Sequence, residues 1–292
     1  LAFPYLSDLV RALTGLNLPL PLPMFGLAVA AAFLVSLRVA ALEIQRLHQV
    51  GRIGPAPGGI AGGLGMIVAL AGFVGARVFH ILEHLQEFTA DPPSMIFSRS
   101  GFSMLGGVVF GALAGAIYVR RRGLPVRAVC DGVAPAAMLG YALGRIGCQI
   151  SGDGDWGIAA NMSLKPAWLP AWLWAQTYDN NIVGVAIPPP GVYPTPIYET
   201  LLGLAAFGLL WVARKHPYRA GWLFALYLLL SGTERFFIEL IRVNPHVQLF
   251  GLAASQAQIV SVVLIALGVL GLAWSMLRSN PMTPSRPWRP PP

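Results

Sequence analysis

Seven stretches of this chain, at roughly 24–42, 58–82, 102–119, 128–149, 196–213, 220–241 and 256–277, are runs of about twenty mostly apolar residues. A helix of about 20 residues crosses the hydrocarbon core of a bilayer, where each backbone polar group must be satisfied within the protein. The composition agrees, with 55% hydrophobic and 11% charged residues, against about 25% charged in soluble domains. The expected fold class is therefore all-α, a polytopic integral membrane protein with seven transmembrane helices. Breaks fall at "LPLPLP", "ADPPS", "RRRGLPVR" and "ARKHPYRAG", all rich in residues that stop helices. Residues 1–278 are expected to form a single seven-helix domain with an extracytoplasmic segment at about 150–195, and 279–292 a cytoplasmic proline-rich tail.

Basic residues set the orientation through the positive-inside rule. One set of loops holds thirteen (Arg38, Arg46, Arg52, Arg120, Arg121, Arg122, Arg127, Arg214, Lys215, Arg219, Arg278, Arg286, Arg289) and the other three (Arg11, Arg99, Lys165). The N-terminus is expected outside and the C-terminus in the cytoplasm. That distribution accounts for the net charge of +8 without nucleic acid, and no basic–aromatic interleaving of a strand binder is seen. No basic segment followed by a short apolar core begins the sequence, so a cleaved leader is not expected. Cys130 and Cys148, 18 residues apart in one helical stretch, would stand about 27 Å apart and are not expected to bridge. Trp168, Trp172 and Trp174 suit either the lipid interface or packing over the bundle.

Four arginines remain inside or at the ends of spans: Arg77, Arg145, Arg235 and Arg242. An arginine at mid-span costs about 2.5–3.5 kcal/mol on insertion scales, so it calls for a partner or a function. Under this orientation all four fall in the outer half of the membrane. Arg77 and Arg242 could equally snorkel to the interface. Arg235, Glu239 and Arg242 are spaced i, i+4, i+7 on one helix face, where Glu239 can pair with either arginine. Guanidinium donors left free would grip a phosphate as a fork. Arginines at this depth are a seat for an anionic phospholipid headgroup.

The stretch "GRIGCQISGDGDWG", residues 144–157, contains Arg145 and holds two aspartates and five glycines. Its "GDGDWG" fits the dinucleotide fingerprint literally, but it follows a membrane helix rather than a strand, and Asp153 and Asp155 would repel a pyrophosphate. The calcium-loop spacing is incomplete. Irregular backbone at membrane depth is tolerated where it is buried in protein or lines a wet cavity. The aspartates there can pin Arg145 or direct a proton.

On these motifs the chain resembles the bacterial prolipoprotein diacylglyceryl transferase family. "GARVFHILEH" with "ADP", "GFSMLGGVVFG", "GRIGCQISGDGDWG", "YPTPIYE" and "RFFIELIR" are similar to its motifs, in the same order. The resemblance implies transfer of the diacylglyceryl group of phosphatidylglycerol to the lipobox cysteine thiol of preprolipoprotein signal peptides, releasing glycerol 1-phosphate, in the bacterial inner membrane. By position, Arg145 and Arg235 match the family's essential arginines, and Glu239, Arg242, Asp153 and Glu199 its supporting polar residues. No cofactor is implied. The partners implied are phosphatidylglycerol, the signal peptides and membrane lipids.

The sequence departs from the family where a histidine precedes the paired glycines of the third span: "SMLGG" has Leu105 there. A first-span tyrosine is Phe25, and one residue is inserted near Gly154. Leucine cannot take a proton, so His80, with Glu83 and His84 nearby, and Asp153 become the candidate bases, histidine having the suitable unperturbed pKa. Arg77 joins the candidate substrate-binding set. Gly107, Gly111 and Gly115 form a small-residue ridge for helix packing. No cluster shows metal-ligand spacing in sequence. The alternatives are a catalytically altered member that binds phospholipid without transferring it, and a transporter of an anionic solute, which the missing internal repeat disfavours.

Overall fold

The computed structural model describes residues 2–54, 59–98, 101–244, 246–249 and 252–277. Arg99 and the proline-rich tail with Arg278, Arg286 and Arg289 lie outside the described residues, as do the side chains of 246–249, 252 and 253. Among the described residues, ten α-helices run in the order α1 Leu6–Thr14, α2 Met24–Gln49, α3 Ile60–Glu83, α4 Leu85–Ala90, α5 Pro92–Phe97, α6 Met104–Arg121, α7 Val126–Ser151, α8 Thr195–Ala213, α9 Trp222–Glu239 and α10 Gln256–Leu277. A two-stranded antiparallel hairpin, β1 His246–Leu249 with β2 Leu252–Ser255, precedes α10. Each of the seven expected runs is a helix.

Six of them, α2, α3, α6, α7, α8 and α10, are long and apolar enough to cross a bilayer. The seventh, α9, is 18 residues long and carries Glu234, Arg235 and Glu239 within that length. Large apolar side chains stand exposed along the others, among them Phe73 at 65%, Val212 at 82% and Leu270 at 66%. Water would penalise such surfaces heavily, while hydrocarbon tails do not. This is an all-α polytopic membrane protein.

The chain forms two compact units, dividing within α2 and again between α6 and the main part of α7. One comprises residues 40–132 and is organised by α3 and α6. Glycines on both helices face each other: a Cβ at Gly107 would stand 3.3 Å from the Gly72 carbonyl oxygen, and one at Gly111 3.3 Å from that of Val68. Small residues let the two backbones approach, as the glycine ridge predicts.

The other unit comprises residues 1–39 and 133–283, described to Leu277. Its core sets Ala134 and Met138 of α7 against Ala206 and Leu210 of α8 and Leu223 of α9. Close approach recurs, with Gly203 of α8 on Ala142 of α7 and Gly232 of α9 on Ser261 of α10. Residues 152–194, between α7 and α8, have no regular structure beyond two short 3₁₀ turns. Isolated bridges tie this segment together, Ala159 and Gln176 each to Val192, and Gly157 to Arg242. The N-terminus is tied to this segment through Ala2 N–H to Asp179 O at 2.7 Å, and to the end of α7 through Phe3 N–H to Ile150 O at 2.6 Å.

Candidate active site

The polar residues of the second unit converge on one carboxylate. Glu199 lies one turn into α8 and is fully buried at 0% exposure. Its Oε1 stands 3.1 Å from Arg235 Nη1, 3.3 Å from Arg145 Nη2 and 3.5 Å from Arg242 Nη1. Arginines from α7, from α9 and from just beyond α9 therefore share one counter-ion. A buried charge needs this kind of pairing, because desolvation without it costs several kcal/mol.

Two further carboxylates complete the set. Asp155 bridges Arg145 through Oδ2 and Arg242 through Oδ1. Glu239 Oε2 lies 3.0 Å from Arg235 Nη2, and its Oε1 accepts from Asn244 at 2.6 Å. Three guanidiniums thus meet three carboxylates. The Arg235 side chain is the most open of the three arginines at 23%, against 9% for Arg145 and 8% for Arg242. Glu199 Oε2 is buried with no hydrogen-bond partner among the described residues, an acceptor still open for a donor.

The glycine-rich stretch explains how Asp155 gets there. Helix α7 ends at Ser151, and Gly152 and Gly154 follow with φ of 59° and 97°, conformations that favour glycine. The turn doubles back so that Asp155 pairs with Arg145, ten residues earlier. Its backbone is held on both sides: its N–H donates to Asp153 Oδ1 at 3.2 Å and its carbonyl accepts from Thr195 Oγ1 at 2.6 Å. Gly157 then pairs with the chain after α9. Ile158 N–H donates to Ile241 O at 2.8 Å, and a Cβ at Gly157 would come within 2.6 Å of that same oxygen.

This pairing corrects one expectation. Helix α9 ends at Glu239, so Arg242 does not continue the i, i+4, i+7 face; it lies on extended backbone beside Gly157. Glu239 accordingly pairs with Arg235, while Arg242 takes Asp155 and Glu199. The bridging aspartate is Asp155, with Asp153 beside it accepting from its backbone N–H.

Burial works to raise the pKa of Asp155, but Arg242 and then Arg145 outweigh it and hold the carboxyl below its ordinary range. Asp153 goes the other way. Burial, then the neighbouring Asp155 charge, push it up despite hydrogen bonds that favour its charged form. Cys148 lies against the same place, buried, its Sγ 3.6 Å from Arg145 Nη1 and 3.8 Å from Asp155 Oδ2. Beside Gln149, a cavity of about 530 Å³ is lined also by Trp172, Gln176 and Ile197.

Two members of the network carry no signal that the motifs single out. Tyr141, one turn before Arg145 on α7, places its hydroxyl 3.0 Å from Glu199 Oε1. Glu234, beside Arg235, stands 3.0 Å from the same hydroxyl. A carboxylate inside an apolar run was the available clue for Glu234.

Arg77 and His80 belong to the unit of residues 40–132. Arg77 Nη1 donates to Gly101 O at 2.9 Å, Nη2 donates to Ser98 O, and the guanidinium lies 4.2 Å from the Phe102 ring centre. The His80 and His84 rings lie 4.4 Å apart, tilted by 42°, and His84 Nδ1 meets His80 O at 3.0 Å. Arg77 and His80 line a cavity of about 300 Å³ with Glu87 and Asp91. Leu105 lies in the first turn of α6.

Among the described residues, two sets of ligand-type side chains come within 4.8 Å of one another, His80 with Glu83 and His84, and Cys148 with Asp153 and Asp155. Neither is read as a metal cluster from the sequence alone, and the second is assembled only because the loop folds back on the helix. In that set Asp155 is already engaged by Arg145 and Arg242, so a cation would compete with two guanidiniums.

The fold and the site define a helical multi-pass membrane protein with a buried arginine cluster suited to meeting an anionic group. The pattern of the prolipoprotein diacylglyceryl transferase family matches residues 12–274, and the chain belongs to that family. Among its relatives is the phosphatidylglycerol–prolipoprotein diacylglyceryl transferase of Janthinobacterium sp. (strain Marseille), 34% identical over 266 residues, covering 87% of this chain and 91% of the relative. The protein of the same name from Symbiobacterium thermophilum is 31% identical, covering 73% and 76%. That from Corynebacterium diphtheriae is 28% identical, covering 86% and 88%.

Proposed function

We propose that this protein transfers the diacylglyceryl group of phosphatidylglycerol to the lipobox cysteine thiol of preprolipoproteins and releases glycerol 1-phosphate. The observation that carries the reading is the convergence of Arg145, Arg235 and Arg242 on the buried Glu199, in a chain of this family. The substrate sulfur attacks the glyceryl carbon that bears the phosphate ester oxygen. An S–C bond forms, the C–O bond breaks, and the electron pair leaves on the phosphate. Negative charge grows on that phosphate, and guanidiniums already fixed by Glu199, Asp155 and Glu239 meet it without reorganising. Arg235, the most open of the three, makes first contact with the phosphate, and Arg145 and Arg242 back it.

The thiol must lose its proton to attack. Asp153, whose pKa is raised by burial and then by the Asp155 charge, is the candidate acceptor among residues next to the arginines, and His80 the candidate in the other unit. Arg77 binds substrate beside His80. The assembly we propose has seven spans, α9 among them, with the N-terminus outside, the C-terminus in the cytoplasm and the site facing the outer side. The loop of 152–194 then lies extracytoplasmically over one single transmembrane domain, and signal peptides arrive from the bilayer.

The test is release of glycerol 1-phosphate from phosphatidylglycerol micelles by the purified protein with a lipobox peptide. Release that needs the peptide cysteine and is abolished in Arg145→Ala is expected. Lipid binding without release would favour the altered member, to which Leu105 at the motif position lends its support.

A further inference from the structure

Glu234 takes no part in the chemistry just described, yet it is buried at 8% exposure beside the central arginine. Tyr141 Oη lies 3.0 Å from Glu199 Oε1 and 3.0 and 3.1 Å from the two carboxyl oxygens of Glu234. A phenol has one proton to donate. If both carboxyls were ionised, that proton could satisfy one of them, and the phenol oxygen would face the other acceptor to acceptor. Another proton removes the conflict, and the surroundings decide where it sits. Glu199 is ion-paired with three guanidiniums. Among the described residues, Tyr141 is the hydrogen-bond partner that Glu234 has, while Arg235 is turned to Glu199 and Glu239.

The charged groups around Glu234 are few. From α7 they are Tyr141 and Arg145, from α8 Glu199, and from its own helix Arg235. Helix α10, packed along α9, has no titratable residue across Gln256–Leu277. An ionised Glu234 would make four carboxylates against three guanidiniums.

We infer that Glu234 is held as a carboxylic acid that donates to Tyr141, which donates in turn to Glu199, and that this makes Glu234 a positioning residue for the phosphate of the lipid. The chain of hydrogen bonds fixes the Oε1 edge of Glu199, on which all three arginines are oriented. The retained proton keeps a fourth negative charge away from the place an anion must enter. This inference rests on the reading that the arginines receive a lipid phosphate, but its first test does not.

Infrared spectra of the detergent-purified protein and of Glu234→Gln, compared at neutral pH, read the protonation directly. A carboxylic-acid carbonyl band in the wild type that is lost in Glu234→Gln is expected whether or not the protein transfers anything. Its absence in the wild type overturns the inference. Tyr141→Phe guards against a misfolded glutamine variant: the same band should remain and shift in frequency, and an unmoved band overturns the donation to Tyr141. The second test is the pH profile of KM for phosphatidylglycerol. KM should rise about tenfold as Glu234 ionises, the equivalent of one pKa unit of interaction, with kcat changed less, and Glu234→Gln should hold KM at its low-pH value. The same rise persisting in Glu234→Gln would remove the charge role.

Discussion

Replacing Glu199 by glutamine keeps the shape of the side chain and removes the charge that three arginines share. Arg235, Arg145 and Arg242 stand 3.1, 3.3 and 3.5 Å from Oε1, and Glu199 is 0% exposed. At an effective dielectric near 20, each such pair attracts by about 5 kcal/mol before the cost of removing both charges from water. That cost offsets much of the gain, but it stays after one partner is lost, so breaking a buried pair typically costs about 3–5 kcal/mol. The amide oxygen of glutamine still accepts one hydrogen bond, so the loss in Glu199→Gln is about 3 kcal/mol, the low end of that range. For a chain of this size the thermal midpoint should fall by roughly 6–12 °C. The assay is thermal unfolding of both proteins in the same detergent, with Arg242→Gln and the double variant closing a cycle. The two losses should be less than additive, with a coupling of about 0.5–3 kcal/mol. A fall below about 2 °C, or strict additivity, would refute Glu199 as the shared counter-ion.

Three other outcomes follow from the same geometry. Asp155 is held below its ordinary range, so its contribution to stability is fully present above about pH 4 and is lost as the pH falls through its lower folded value; the acid limb of a stability profile should flatten in Asp155→Asn. Asp153→Asn should slow transfer by about 10²–10⁴-fold with little change in KM for lipid, and slowing of less than about tenfold would pass the proton-accepting role to His80. Gly106→Ala would set a methyl 2.5 Å from the Gly75 carbonyl oxygen and against Phe79, so it should cost about 1–3 kcal/mol by overpacking, read as a lower thermal midpoint.

The spans were legible because hydrocarbon imposes one demand, a long apolar helix, on each crossing. All seven runs are helices, and the glycine ridge of α6 meets α3 as its spacing foretells. Arg145 and Arg235 announced themselves as charges in apolar surroundings. Which carboxylate each would meet was not legible, because the partners come together through the turn at Gly152 and Gly154 and the pairing of Gly157 with the chain after α9. Helical periodicity was extended three residues too far, and so Arg242 was placed on a face that α9 does not have. Tyr141 and Glu234 were silent for a different reason: a tyrosine in a helix is ordinary, and Glu234 stood in the shadow of Arg235. The short amphipathic helix α1 was also missed, since nine residues give little periodic signal.

The central claim is that the arginine cluster around Glu199 moves a diacylglyceryl group onto a thiol. The most direct measurement is the intact mass of a lipobox peptide after incubation with the purified protein and phosphatidylglycerol, with Arg145→Ala alongside. The account predicts a mass gain of one diacylglyceryl group on the cysteine with the wild type and none with the variant. An unmodified peptide from a folded wild-type protein that binds the lipid would contradict it.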